Sequence, residues 1–258
     1  MASGTTSGIA WIAAGTADPA RPSLLLIHGA GGNSSAWWQQ FAAFAAHRHV
    51  VAYDLAGFGH SAALPAGADA YQALVGAAVD VLAAAGASRA DVVCQSLGGW
   101  TGLRLALARP DLVNRLVLCC TLAGIAHPPG LAAFQQATAR MDARGPAALG
   151  LTPGFEAREP AKTLLYRQIG AANPPLDPAL GGAMFAPTLL IPPAALSAIK
   201  LPVHLIMGAD DPIWPPASLS GMLSAVPSVA EHVMPGAGHS PYFEQPDDFN
   251  RLLAACLA

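Results

Sequence analysis

Val92-Val93-Cys94-Gln95-Ser96-Leu97-Gly98-Gly99 is an apolar run that breaks at a serine and then meets two glycines. The run is too short for a helix and reads as a buried strand. Leu97 to Ala108 is rich in Ala and Leu and stops before Pro110, which reads as a helix. Ser96 stands at the junction. A tight strand-to-helix turn brings neighbouring backbone close to that residue, and Gly98 and Gly99 let the helix pack closely behind it. Taken alone, Ser96 also reads as the N-cap of the helix.

The same alternation extends outward. Leu24-Leu25-Leu26-Ile27, Val50-Val51-Ala52-Tyr53 and Leu116-Val117-Leu118 are further short apolar runs, and Val203-His204-Leu205-Ile206-Met207 and Glu231-His232-Val233-Met234 follow near the C-terminal end. Helical stretches lie between or after them, at Tyr71 to Ala85 and Phe249 to Leu257. Strands alternating with helices give an α/β fold: a mostly parallel central sheet with helices on both faces. Gly8 to Ala14 reads as an antiparallel edge strand. The alternation stops after Cys120. Residues 121–199 are rich in Pro, Gly and Ala, with helical patterns at Leu131 to Ala143 and Ala161 to Ile169. A structureless loop of that length is improbable in a compact domain. The expected division is therefore a core of residues 1–120 and 200–258 with a helical cap, 121–199, inserted in it.

The 258 residues are 53% hydrophobic and 11% charged, which excludes a disordered chain. With 13 Lys+Arg against 16 Asp+Glu there is no basic footprint for nucleic acid or an anionic membrane. Mean hydropathy is +0.41, but no run of about 18 apolar residues escapes a charge, Pro, Gly or His, so no membrane span is expected. Met1 to Gly8 holds no basic residue and no apolar core, unlike a signal peptide; the expected location is the cytoplasm. Cys94, Cys119, Cys120 and Cys256 have the spacing of neither a disulfide framework nor a zinc site, and free thiols suit a reducing compartment.

Four more segments bear on the chemistry. Leu24-Leu25-Leu26-Ile27-His28-Gly29-Ala30-Gly31-Gly32 is a strand ending in a Gly-rich loop, which lacks the spacing of a phosphate-binding loop. Tyr53-Asp54-Leu55-Ala56-Gly57-Phe58-Gly59-His60-Ser61 is a Gly-rich turn. Gly208-Ala209-Asp210-Asp211-Pro212-Ile213-Trp214-Pro215 and Val233-Met234-Pro235-Gly236-Ala237-Gly238-His239-Ser240-Pro241 each follow a strand, and Glu244-x-Pro246 comes just after. Together with the elbow at Ser96 these segments resemble the α/β-hydrolase superfamily: its His-Gly-x-Gly-Gly loop, its Asp-x-x-Gly-x-Gly-x-Ser turn, its Gly-x-x-Asp-x-x-x-Pro turn and its Gly-His loop. The resemblance covers nearly the whole chain outside the cap. The usual elbow is Gly-x-Ser-x-Gly; here Cys94 replaces the first glycine. A strand side chain two residues before the serine is expected to point to the serine's side, where Cys94 would act as a small spacer or as a second thiol nucleophile.

The resemblance implies a serine hydrolase. Serine is a poor nucleophile near neutral pH and needs a base, which in turn needs an orienting acid. By position the nucleophile is Ser96, the acid Asp211 with Asp210 as its competitor, and the base His239, 239 − 211 = 28 residues beyond the acid. The Ala30 and Leu97 N–H groups are the implied oxyanion hole. His28 is expected to hold its loop, and Asp54 to shape a turn. The implied reaction is acyl transfer from an ester, lactone or related carbonyl of a small molecule to water. It needs no cofactor, and no clustered ligand set in the sequence suggests a metal. Alternatives on the same triad are a carbon–carbon bond hydrolase, in which a Trp commonly follows the histidine where this chain has Ser240, and a cofactor-free lyase or synthase. A ligand-binding receptor on the same scaffold is the alternative of another class.

The cap is expected to set specificity. Trp37, Trp38, Phe134, Met141 and Trp214 are the substrate-contact candidates, with Phe155, Tyr166, Met184 and Phe185 as further apolar lining; for each of those that lie in the cap, packing within it is the plainer role. Trp100 reads as helix packing. Arg140, Arg144, Arg158, Lys162 and Arg167 are candidate partners for a substrate carboxylate or ordinary surface charges.

Overall fold

The seven segments read as strands, with their flanks, and one further segment at the start become strands Ala2–Thr6 (β1), Ile9–Ala14 (β2), Ser23–Ile27 (β3), Val50–Tyr53 (β4), Ala90–Gln95 (β5), Val113–Cys119 (β6), Val203–Gly208 (β7) and Val229–Met234 (β8). They form one sheet in the order β1-β2-β4-β3-β5-β6-β7-β8. All pairings from β4 to β8 are parallel, whereas β1–β2 and β2–β4 are antiparallel. This is a computed structural model, and it describes residues 1–65, 67–141, 148–175 and 184–258.

The start of the chain differs from the sequence reading. β2 is antiparallel, as expected, but β1 covers its outer side and is itself the edge. Ser7 and Gly8 join the two strands with φ of 49° and 78°, the left-handed pair that a two-residue hairpin requires. Thr and Ser residues gave β1 no apolar signature, because its side chains are mostly exposed.

Successive strand residues point to opposite faces, and the two faces build two cores. Leu25, Ile27, Val51, Tyr53, Val92, Cys94, Leu116, Leu118, Leu205 and Met207 pack beneath Ala70–Ala84 (α2) and Gly98–Ala108 (α3). Leu24, Leu26, Val50, Ala52, Val93, Val117, Cys119 and Ile206 pack beneath Trp38–Phe44 (α1) and the closing helix Pro246–Cys256, which carries Phe249, Leu253 and Cys256 inward. Full burial of each large side chain contributes about 1.5–3 kcal/mol, so the parallel runs hold the sheet from both sides.

Between β6 and β7 the described residues contribute helices Pro128–Thr138 (α4), Pro153–Arg158 (α5) and Pro160–Ala171 (α6) and no strand of the sheet. Each begins with Pro in its first turn, where a missing N–H costs nothing. The stretch is closed at its base by a parallel bridge between Ile125 and Ile191. Three further attachments reach loops at the carboxyl ends of the strands. Asn33 Nδ2 donates to Ile169 O at 3.1 Å, Gly59 N to Asn173 Oδ1 at 2.8 Å, and Arg140 Nη2 to Pro212 O at 2.7 Å.

Candidate active site

Strand β5 delivers Ser96 with φ of 48°, a left-handed conformation that costs a non-glycine residue energy and marks a strained turn. The turn is held by its neighbours. Thr121 Oγ1 donates to Ser96 O at 2.6 Å, and Ser96 N donates to Cys119 O at 3.0 Å. A Cβ at Gly98 would overlap the Ile27 and His28 carbonyls, and one at Gly99 would overlap the Thr121 hydroxyl. These two glycines therefore let α3 start against β3 and the end of β6.

Cys94 lies elsewhere than expected. Its side chain points into the α2/α3 core, fully buried, and a Cβ on Gly102 of α3 would overlap its sulfur. The bulk that the elbow gains at position 94 is matched by the missing side chain at Gly102. Burial pushes the Cys94 thiol well above the usual range, so it stays protonated and inert. It does not point to the serine's side.

The loop after β3 abuts Ser96: a Cβ on Gly29 would come within 2.8 Å of Ser96 Cβ. His28 anchors this loop. Its Nε2 accepts from Leu55 N at 2.9 Å, so the ring proton sits on Nδ1, which donates to Gly29 O at 2.8 Å. Burial lowers its pKa from 6.5 to about 4, and the ring stays neutral. Asp54 accepts from Ser34 N and His60 N, both at 2.8 Å, and Ser61 Oγ donates to Asp54 O at 2.6 Å. These two residues thus shape turns, as the sequence suggested. Ala30 and Leu97 are half-buried, and among the described residues their N–H groups donate to no protein acceptor.

Asp211 and His239 meet beyond the ends of β7 and β8. His239 Nδ1 lies 2.9 Å from Asp211 Oδ2. The second oxygen, Oδ1, accepts from Ile213 N at 2.8 Å and Trp214 N at 3.1 Å. A carboxylate can only accept, so Nδ1 carries the proton and Nε2 keeps its lone pair. Asp211, His239 and Ser96 are all buried, whereas Asp210 is exposed. Close packing seats the two loops together: a Cβ at Gly208 would overlap the Gly238 and Ala237 carbonyls.

Three supports received no role in the sequence reading. Gln95 Nε2 donates to His239 O at 3.0 Å and ties the histidine loop to the elbow. A polar residue inside a fully buried strand was its signal. Thr121, described above, shows no comparable signal. Glu244 Oε1 accepts from Gly238 N at 3.0 Å, while Oε2 accepts from Thr152 N at 3.0 Å and Thr152 Oγ1 at 2.6 Å. It clamps the histidine loop to the start of α5. Burial raises its pKa against these favourable bonds.

The apolar candidates separate into two groups. Trp214 lies 5.8 Å from the His239 ring centroid, Phe134 stacks on Trp214 at 5.5 Å, and Phe185 stacks on Phe134 at 4.2 Å. Trp100 adjoins Trp214 and Phe185 at 6.2 and 5.3 Å, and Met141 packs half-buried against the same core. Trp37 is not among them: it is fully buried and packs against Tyr242, ring centroids 4.3 Å apart, in the opposite core. Trp38 is 43% exposed on α1. Phe155 joins the α1-side core, and Met184 is buried against α3. Tyr166 OH lies 3.0 Å from Ser240 Oγ, and burial pushes its pKa up to about 12. Of the basic residues, Arg140 binds the Pro212 carbonyl, Lys162 and Arg167 pair with Glu159 and Glu156 at the surface, Arg158 is exposed, and Arg144 lies outside the described residues.

Fold and site together define the α/β-hydrolase class: a mostly parallel sheet, a strained serine elbow after its fifth strand, and a buried Asp–His pair after the last two. Residues 24–252 match the model of the alpha/beta hydrolase family, and the chain belongs to that family. It is a hydrolase enzyme. It is 30% identical to the "Putative carbamate hydrolase RutD" of Enterobacter cloacae over 92% of this chain and 91% of that protein. A hydrolase from Pseudomonas aeruginosa superposes with a TM-score of 0.78 at 26% identity, over 100% of this chain and 98% of the other. The enol-lactonase from Burkholderia xenovorans superposes with a TM-score of 0.77 at 23% identity, over 99% of each chain, a likeness of fold. Among the described residues no helix is long and apolar enough to cross a membrane.

Proposed function

We propose that the chain is a serine hydrolase that cleaves an ester, lactone or carbamate of a small molecule through an acyl-enzyme. The observation that supports this best is the buried His239 Nδ1–Asp211 Oδ2 pair at 2.9 Å, which keeps the Nε2 lone pair available in a loop that Gln95, the residue before the strained serine, ties to the elbow. Ser96 Oγ attacks the substrate carbonyl while His239 Nε2 takes the hydroxyl proton. Asp211 holds the ring in that tautomer and stabilises its cation. The carbonyl oxygen becomes an anion, for which the Ala30 and Leu97 N–H groups are the unengaged donors. His239 then returns its proton to the departing alcohol or amine. Water repeats the sequence on the acyl-enzyme, giving its proton to His239 and releasing Ser96.

In this reading 121–199 is a cap over the site, and its Phe134 and Met141, with Trp214, line the acyl or leaving-group pocket. Carbamate enters the substrate class through the name of the Enterobacter cloacae relative. The four buried free thiols fit a cytoplasmic location.

The test is Ser96→Ala assayed on a panel of aryl esters, lactones and aryl carbamates, beside mass mapping of the unsubstituted chain after a fluorophosphonate probe. Ser96 should carry the adduct, and turnover should fall by about 10⁶ in the variant. Activity within tenfold, or an adduct on another residue, would overturn the assignment.

A further inference from the structure

A second cluster of reactive side chains lies away from the Ser96 site. His204 is the second residue of β7, at the end remote from Asp211. The β7–β8 register pairs His204 with Ala230 and Ile206 with His232, so the two histidines are diagonal neighbours on one face of the sheet. That is the face of Ile206, covered by the closing helix, and Cys256 in the last turn of that helix reaches the same spot. His204 Nδ1 lies 3.2 Å from His232 Nε2, and Cys256 Sγ lies 3.8 Å from the same nitrogen. One ligand atom of each of the three residues lies within 4.8 Å of the other two.

The two separations from His232 Nε2, 3.2 and 3.8 Å, match a coordination sphere. A tetrahedral zinc ion binds nitrogen at about 2.0–2.1 Å and sulfur at about 2.3 Å, which sets two nitrogens about 3.3 Å apart and nitrogen and sulfur about 3.6 Å apart. Hydrogen bonding accounts for the histidine pair and leaves Cys256 with only a weak contact. Two neutral imidazoles share one N–H between them, and a thiol is a weak donor at such a distance. We propose that His204, His232 and Cys256 form a binding site for a divalent zinc-like ion, with water in the fourth position. Binding releases the Cys256 thiol proton, and the resulting thiolate offsets part of the ion's charge. Arg115 on β6 is the neighbouring cation, and it is engaged by Asp91 Oδ1 at 3.8 Å and Ala258 O at 2.9 Å. The ion would fasten the closing helix to the sheet-edge strand β8. A structural role of this kind is independent of the hydrolytic reading. A second group of three, Cys120, Asp211 and His239, belongs to the candidate active site and must be told apart from it.

The full chain is stripped with a chelator, dialysed and titrated with Zn²⁺. Bound metal is measured by mass spectrometry, and thermal unfolding is followed with and without the ion. Co²⁺ serves as an optical probe. The expected result is one Zn²⁺ per chain, a rise of a few degrees in Tm, and a sulfur-to-cobalt charge-transfer band. His232→Gln and Cys256→Ser should each weaken binding by about tenfold or more and abolish the Tm rise, leaving ester turnover unchanged. Far-UV circular dichroism of the metal-free variants checks folding; the cobalt band of the unsubstituted chain needs no variant. Absence of zinc binding, or zinc retained by both variants, overturns the proposal. So does loss of the ion on Cys120→Ala alone, which would place it at the other cluster.

Discussion

The loop after β3 and the loop after β8 each bury a histidine at the carboxyl end of the sheet, and their partners make them opposites. His28 spends both ring nitrogens on backbone groups, Leu55 N–H and Gly29 O. Burial then holds it neutral, with a pKa of about 4 and no free lone pair. His239 spends one nitrogen on a carboxylate, and among the described residues its Nε2 has no protein partner. Burial alone therefore does not make a histidine a base. What matters is which nitrogen is occupied, and by what.

Between these two loops the largest expected effect comes from turning the second toward the first. Asp211→Asn gives Nδ1 a neutral partner that can donate, so the imidazole can adopt the wrong tautomer. Turnover should fall by about 10⁴, while Asp210→Asn, on an exposed neighbour, should stay within a few-fold of the parent. Steady-state ester hydrolysis by both variants decides it. A crippled Asp210→Asn enzyme would move the acid by one residue.

A smaller effect sharpens the His28 side. The folded pKa of about 4 lies below the unfolded value of 6.5, so between those values the unfolded chain binds more protons. Stability contributed by neutral His28 is present above about pH 6.5 and is lost as pH falls toward 4. The full loss is about 3 kcal/mol. His49, His127 and His204 are also lowered by burial and add to the same slope. The measurement is therefore a difference: urea unfolding of the parent and of His28→Gln from pH 7 to pH 4. The variant should show the shallower decline, and equal slopes would mean that His28 does not resist protonation.

The smallest effect lies on β5, the strand whose Cys94 pairs with Ile27 just before the His28 loop and whose Gln95 binds the His239 loop. Cys94→Ala leaves a small void against Gly102 and should cost about 1–2 kcal/mol of stability. Turnover should stay within about tenfold. Urea unfolding and an ester assay on the same preparation check both numbers, and a loss matching Ser96→Ala would return the thiol to the chemistry.

Much of this molecule was legible in its sequence. Buried parallel strands read as short apolar runs, and tight turns demand small residues at fixed offsets. The elbow at Ser96, the Gly-rich loop after β3, and the Asp211 and His239 loops announce themselves locally for that reason. Asp210 and Asp211, adjacent in sequence, were separated by register within their turn, and the structure exposes one and buries the other. The rest depended on partners far along the chain. Trp37 reads as a pocket residue from its place after the glycine loop, yet it packs against Tyr242, 242 − 37 = 205 residues away, in a core the pattern cannot reveal. The side to which Cys94 points was decided by its place on β5 and by an absent side chain at Gly102. Glu244 is one more acidic residue until Thr152 and Gly238 arrive beside it. His204, His232 and Cys256 have no ligand-like spacing, and strand register with the return of the closing helix brings them together. Local backbone geometry is set by residues a few positions apart, so the sequence displays it. Side-chain encounters are set by crossover connections and register, which exist only once the sheet has formed.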